Sequence, residues 1–235
     1  MLSKNKIKFI NSIKKKKYRD IHQCFFVEGE KIVDELLHSD MQIISIFATS
    51  IWIQSHQSEL NNLTEIELVE ITDEELKKIS ALSTPNKVLA VVHKPEYSYS
   101  LDNIRSKLNL FLDNINDPGN LGTIIRIADW FGIKDIFCSL ESVDVFNPKV
   151  VQASMGAIYR TKVHYVDSVN FLQKDQQLDT FNIYGTFLEG KNIYKEELSE
   201  NGLIVLGSES HGISENLKPL INKKVCLNNN STLKP

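Results

Sequence analysis

The sequence predicts an α/β protein of two domains, and three features carry that expectation. From residue 108 onward, short apolar runs alternate with helical patterns, as in a mostly parallel sheet with helices on both faces. Ahead of it lies a smaller set of alternating elements that ends in the strand-like Lys87-Val88-Leu89-Ala90-Val91-Val92-His93. Between the two, Lys94-Pro95-Glu96-Tyr97-Ser98-Tyr99-Ser100 is a polar, proline-containing break. The expected division is a domain over 1–97, a linker over 98–107 and a second domain over 108–235.

In the first domain, Ile7 to Ser12 is read as a short helix and Cys24 to Val27 as a strand leading into Glu28-Gly29-Glu30. Ile32 to His38 places Ile32, Val33, Leu36 and Leu37 at helical spacing. Strands are expected at Ile43 to Ala48 and Glu65 to Glu70, and Thr72-Asp73-Glu74-Glu75 opens a helix with Thr72 and Glu75 in capping-box spacing. In the second domain, strands are expected at Leu108 to Asp113, Asp135 to Ser139, Lys162 to Val166, Asn182 to Thr186, Leu203 to Gly207 and Lys224 to Leu227. Asn147-Pro148 caps a helix with proline in its first turn, and shorter helices are read at Val169 to Gln173 and Glu215 to Ile221.

The chain has 235 residues, 42% of them hydrophobic and 24% charged, as expected of a soluble globular protein. No run approaches the roughly 20 apolar residues that span a membrane, and no signal-peptide core is seen, so a cytoplasmic location is expected. Cys24, Cys138 and Cys226 lie far apart, without metal-ligand spacing, and read as buried free thiols. The net charge of -3 hides an uneven distribution. Up to residue 31, Lys4, Lys6, Lys8, Lys14, Lys15, Lys16, Lys17, Arg19 and Lys31 face only Asp20, Glu28 and Glu30. Such a segment is either a solvated helix surface or a set of phosphate contacts whose binding weakens with salt.

The most informative stretch runs from Asp113 to Gly132. The buried strand before it and the turn Asp117-Pro118-Gly119-Asn120 lead into a helix with Leu121, Ile124, Ile125, Ala128 and Phe131 in period. Asn120 stands where an N-cap belongs, Gly122 permits close approach of a backbone or a ligand, and Arg126 is expected on the buried side, turned back toward the loop. Functional groups therefore gather at a strand's carboxyl end.

Asp117, Pro118, Asn120, Gly122, Arg126, Ala128, Phe131 and Gly132 together resemble motif 1 of the SpoU (TrmH-type) branch of the SPOUT RNA methyltransferases. Leu206-Gly207-Ser208-Glu209-Ser210-His211-Gly212-Ile213-Ser214 resembles motif 2 of that family, with Ser210 in place of a glycine. Lys16-Lys17-Tyr18-Arg19, Phe26-Val27-Glu28-Gly29 and Ile79 to Pro85 resemble the substrate-binding domain attached to many SpoU enzymes, which is similar to a ribosomal-protein-type RNA-binding fold. Ser154-Met155-Gly156-Ala157 resembles a further family run and reads as a helix-end packing feature.

The resemblance implies an S-adenosyl-L-methionine-dependent 2′-O-ribose methyltransferase that works as a homodimer on RNA, with ribosomal RNA favoured over tRNA and no metal. It implies Arg126 as the catalytic group, with Asn120 and Glu209 beside it; Asn120 is equally open to a plain capping role. A guanidinium holds its proton with a pKa above about 12, so Arg126 is expected to act electrostatically on a phosphate and on the attacking oxygen rather than as a base. The donor is expected against Gly207, Thr186, Phe187, Leu188, Ile213 and Leu227, and the RNA against Lys14, Lys15, Lys16, Lys17 and Arg19. The family's motif 3, which opens a C-terminal helix and completes a trefoil knot, has only Thr232-Leu233-Lys234 in its place here. The expectation is an incomplete knot and a weakened donor site. Competing readings are a tRNA 2′-O-methyltransferase, a non-catalytic RNA-binding member of the same family and a generic α/β nucleotide-binding enzyme.

Overall fold

The computed structural model describes residues 2–63, 66–176 and 181–226. The expected donor wall Leu227, the Thr232 to Lys234 run and the knot-closing segment lie outside them. The elements follow in the order α1 (Lys4–Ser12), α2 (Lys16–His22), β1 (Cys24–Glu28), α3 (Glu30–Leu37), β2 (Ile43–Ala48), α4 (Ser50–Ser55), α5 (Gln57–Asn61), β3 (Glu67–Glu70), α6 (Asp73–Ile79) and β4 (Val88–His93). The chain continues through α7 (Leu101–Arg105), β5 (Leu108–Leu112), α8 (Pro118–Trp130), β6 (Asp135–Ser139), α9 (Pro148–Ser154), β7 (Lys162–Val166), α10 (Ser168–Gln176), β8 (Ile183–Asn192), β9 (Gly202–Leu206) and β10 (Lys223–Cys226).

Two compact units result. The first comprises residues up to Glu96 together with 118–127 and 144–160, and the second holds 97–117, 128–143 and the chain from 161 onward. The first contains a four-stranded sheet in the order β1-β4-β2-β3, antiparallel except for the β2–β3 pair. One of its cores gathers Ile10, Ile13, Phe26, Phe47, Leu76, Ile79, Leu89 and Val91. The capping box at Thr72 is complete: its side chain accepts from the Glu75 backbone, and the Glu75 carboxylate accepts from the Thr72 N–H. Such a cap stabilises a helix by about 1 kcal/mol.

The second unit is built on a six-stranded, all-parallel sheet in the order β10-β8-β9-β5-β6-β7. The chain leaves the centre at β5 for one edge through β6 and β7, then fills the other side with β8, β9 and β10. The order therefore reverses between β5 and β9, and at such a switch point the loops after the strands open a crevice. Phe111, Phe137, Phe171, Leu203, Val205 and Ile213 share its core. Ile104 of α7 joins that core, and Tyr99 meets Phe137 and His164 edge-on at 5.2 Å, so the stretch read as a linker is packed structure within this unit.

The expected helix over Glu215 to Ile221 is not formed; a single 3-10 turn, Lys218–Leu220, stands there. Pro219 lacks the N–H that a longer helix would need and clashes with the preceding turn. The short α2, α4 and α5 were not anticipated, since five to seven residues give too little periodicity to read.

Candidate active site

Motif 1 begins where β5 ends. Pro118 is the first residue of α8, where its fixed φ suits a helix and its missing N–H costs nothing. The helix thus starts two residues before Asn120, which lies partly buried inside the first turn instead of capping it. Leu121, Ile125 and Ala128 are fully buried along one face. A Cβ built on Gly122 would stand 2.4 Å from Ala153 Cβ and 2.7 Å from the Val150 carbonyl oxygen, so the glycine is required by the approach of α9. Of the two reasons for Gly122 that the sequence left open, a neighbouring backbone is the one observed.

Arg126 is not on the buried side. With Thr123, Ile127 and Trp130 it forms the exposed stripe of α8, because the step of about 100° per residue carries it off the Leu121–Ile125–Ala128 face. This stripe is unusually apolar: Trp130 is 85% exposed and the following Phe131 74%.

Motif 2 is a loop folded on itself. After β9, Ser208 and Gly212 exchange backbone hydrogen bonds of 3.1 and 2.8 Å, and Gly212 takes φ +67° to close the turn. A Cβ on Gly207 would fall 2.1 Å from the Gly212 carbonyl carbon and 2.3 Å from the Ile213 nitrogen. Glycine at 207 is thus demanded by the loop's own backbone. Ser210, the departure from the family pattern, is not among the residues with positive φ and sits without backbone strain. Its Oγ lies 2.7 Å from His211 Nδ1. Glu209 is exposed at the tip, whereas Ile213 is buried in the core and anchors the loop. That burial removes Ile213 from the set of open apolar walls.

Of the other expected donor contacts, Thr186 donates from Oγ1 to the Val205 carbonyl at 3.1 Å. β8 pairs with β9 only as far as Gly185, and its pairing with β10 jumps from Gly185 to Lys191, so residues 186–190 stand out of that ladder. Phe187 lies partly buried against the core, with Lys224 Nζ 5.5 Å from its ring centroid. Leu188 is 97% exposed. Thr186 and Phe187 thus follow the last β8–β9 pair within β8, and Gly207 follows β9 directly, so the two stretches offer an aromatic ring and backbone polar groups. Such a donor set fits an adenosyl group.

Among the basic residues, Lys15, Lys16 and Lys17 are exposed, with Lys16 3.1 Å from Asp20. Lys14 is half-buried and donates to the Ser80 carbonyl at 2.7 Å; burial pulls its pKa down, against the pull of Glu28. Arg19 is withdrawn from any surface role. Its guanidinium donates from Nε and Nη2 to Asp144 Oδ2 at 3.0 and 2.6 Å, and from Nη1 to the carbonyls of Ile13 and Lys14 at 3.0 and 2.8 Å. A run of five cations read as uniform in sequence divides into exposed lysines and one interior arginine. Its partner Asp144 was missed, since nothing local marks an aspartate before Asn147-Pro148 as the mate of a residue 125 positions earlier. Among the described residues, no group of three His, Cys, Asp or Glu side chains is placed to hold a metal ion, and no helix is long and apolar enough to cross a membrane.

Residues 107–233 match the SpoU rRNA Methylase family. The chain belongs to that family. The SpoU segment is preceded by a match to an MRM3-like substrate binding domain over residues 4–90. Among curated relatives, the 23S rRNA (guanosine(2553)-2′-O)-methyltransferase RlmP of Bacillus subtilis is 28% identical over 215 residues, covering 88% of this chain and 81% of RlmP. The mitochondrial rRNA methyltransferase 3 of Xenopus laevis is 30% identical over 162 residues, 66% of this chain, which spans 38% of that relative's length. A solved TrmH-family structure from Porphyromonas gingivalis superposes with a TM-score of 0.88 at 35% identity, covering 99% of this chain and 91% of the other. The SpoU methyltransferase AviRb from Streptomyces viridochromogenes, solved in complex with AdoMet, shares the SpoU fold at 20% identity, with a TM-score of 0.81 and coverage of 99% and 92%.

Proposed function

We propose that the protein transfers a methyl group from S-adenosyl-L-methionine to a ribose 2′-oxygen of large-subunit ribosomal RNA. The observation that carries this reading is similarity to RlmP along 81% of its length, a span that takes in both the substrate-binding and the SpoU parts. The donor supplies an electrophilic methyl on a sulfonium, and the reaction is a displacement that depends on alignment. Arg126 binds a phosphate beside the target ribose and favours negative charge on the attacking oxygen. Asn120 and Glu209 orient the substrate, each from its own element. Gly207, through its backbone, and Thr186 and Phe187 hold the donor. Lys15, Lys16 and Lys17 supply phosphate contacts from a substrate domain over residues 1–97, and residues 98–107, packed within the second unit, lead into the catalytic domain from 108 onward.

Two further readings attach to it. Ile127, Trp130 and Phe131, at and just after the end of α8, are large apolar side chains left exposed, and this supports a homodimer paired through them. The protein acts in the cytoplasm.

The test is incubation of the full-length protein with methyl-labelled donor and separate ribosomal RNA and tRNA pools, alongside Arg126→Ala. Label on ribose in ribosomal RNA, lost with the substitution, is expected. Label on a base, or activity that survives the substitution, refutes the assignment.

A further inference from the structure

One buried residue grips the motif 2 loop at both ends, by its backbone at the entry and by its carboxylate at the exit. Asp113 follows the last residue of β5 and is 2% exposed. Its backbone N–H donates to the Leu206 carbonyl at 2.8 Å, immediately before Gly207. Its carboxylate accepts from the Ser214 N–H at 2.7 Å, where the loop returns to the protein. Residue 113 therefore fixes the entry and the exit of the segment 207–213.

The neighbouring residue braces that grip. Asn114 takes φ +55°, a left-handed conformation that asparagine tolerates better than most side chains. From there its Nδ2 donates to Asp113 Oδ1 at 3.3 Å and to Ser214 Oγ at 3.1 Å. The Asn114 N–H is held at 3.0 Å by Ser139 Oγ, which in turn meets Ser142 Oγ at 3.0 Å. Both serines are buried, so the carboxyl ends of β5, β6 and β9 are tied by side chains beyond the last sheet bonds.

We propose that Asp113 is a positioning residue that sets the motif 2 loop for donor binding; this rests on the reading that the loop holds S-adenosyl-L-methionine. Asp113 touches neither donor nor RNA in this scheme. Its side chain acts by fixing Ser214, where the loop that holds the Ser208–Gly212 turn returns to the protein. In Asp113→Ala the 113 N–H keeps its bond to Leu206, whereas the Ser214 N–H loses its acceptor and the Asn114 amide loses one of its two. In Asp113→Asn one acceptor oxygen survives, but the new NH2 opposes a second donor, so the conservative variant restores only part of the grip.

The experiment measures, in the full-length protein, calorimetric affinity for S-adenosylhomocysteine, affinity for a ribosomal RNA fragment and amide exchange of the 207–214 segment. Asp113→Ala is expected to weaken S-adenosylhomocysteine binding about tenfold, Asp113→Asn less, with RNA affinity within about twofold of the parent and faster exchange across 207–214. If Asp113→Ala fails to fold, Asp113→Asn carries the same comparison. Unchanged exchange, unchanged donor affinity, or RNA affinity falling in step with donor affinity overturns the proposal. A parent protein that binds no S-adenosylhomocysteine refutes the donor reading itself, a result distinct from parental binding that the variants leave intact.

Discussion

Arg19→Ala removes a guanidinium that is 2% exposed and strands a carboxylate whose side chain is 9% exposed. Two hydrogen bonds to Asp144 are lost, and the carbonyls of Ile13 and Lys14 lose their donor. Breaking a buried pair by removing one partner costs about 3–5 kcal/mol, several times the value of an exposed pair. At about 2–4 °C per kcal/mol for a chain of this size, the melting temperature should fall by roughly 10 °C. Urea unfolding followed by far-ultraviolet circular dichroism reads the loss, and the double variant Arg19→Met with Asp144→Leu should recover most of it, since apolar groups of similar volume leave no charge stranded. The same double variant separates burial from RNA contact: its log-affinity for RNA should keep the parental salt slope, whereas Lys15→Ala and Lys17→Ala should each reduce it by about 0.7–0.9. A loss under about 1 kcal/mol for Arg19→Ala, in the range of exposed pairs, would refute the reasoning.

Gly122→Ala should destabilise by about 1–3 kcal/mol in the same unfolding assay, because the new methyl meets Ala153 and the Val150 backbone at distances that only helix displacement relieves. Gly207→Ala should open the motif 2 loop, read as faster amide exchange across 207–214, since the atoms in the way are backbone. Burial raises the Glu28 carboxyl above its usual 4.5, and the hydrogen bonds from Ser80 and Ala81 do not offset it. A raised folded-state pKa favours folding below the unfolded value and loses that contribution as pH climbs through the folded value, so the stability of the parent relative to Glu28→Gln should fall as pH rises above the usual 4.5 in urea titrations. The thiols of Cys24 and Cys138, pushed by burial up to about 11 and about 12, should react with a disulfide reagent at neutral pH only on unfolding.

Strands of the second unit were legible because parallel strands are buried on both faces: Asp135–Ser139 and Lys162–Val166 match their apolar runs residue for residue. β8 was not, because its continuation to Asn192 depends on rejoining β10 after the 186–190 excursion, a partner choice that periodicity does not encode. The residues of motifs 1 and 2 could be named from their order and spacing, but their exposure could not. Whether Arg126 faces in or out depends on which face of α8 the rest of the fold covers, and local periodicity does not carry that. Arg19 failed for a related reason. Within Lys14 to Arg19 nothing in the sequence sets one cation apart for burial, and only the fold brings the distant Asp144 to Arg19.

The two motifs combine residues with different duties, and the structure sorts them. Pro118 starts α8, Gly122 admits α9, Gly207 admits the returning backbone of its own loop, Gly212 turns it and Ile213 anchors it. Each of these is consumed in construction. Arg126 and Glu209 are exposed and Asn120 is half-buried, so burial in a core does not account for these three. A motif match therefore attests a scaffold more directly than a reaction: replacing a glycine and replacing Arg126 are both expected to lower turnover, but only the first to alter unfolding or amide exchange. Catalytic loss in the presence of an unaltered melting curve is accordingly the signature to require before a motif residue is assigned to the chemical step.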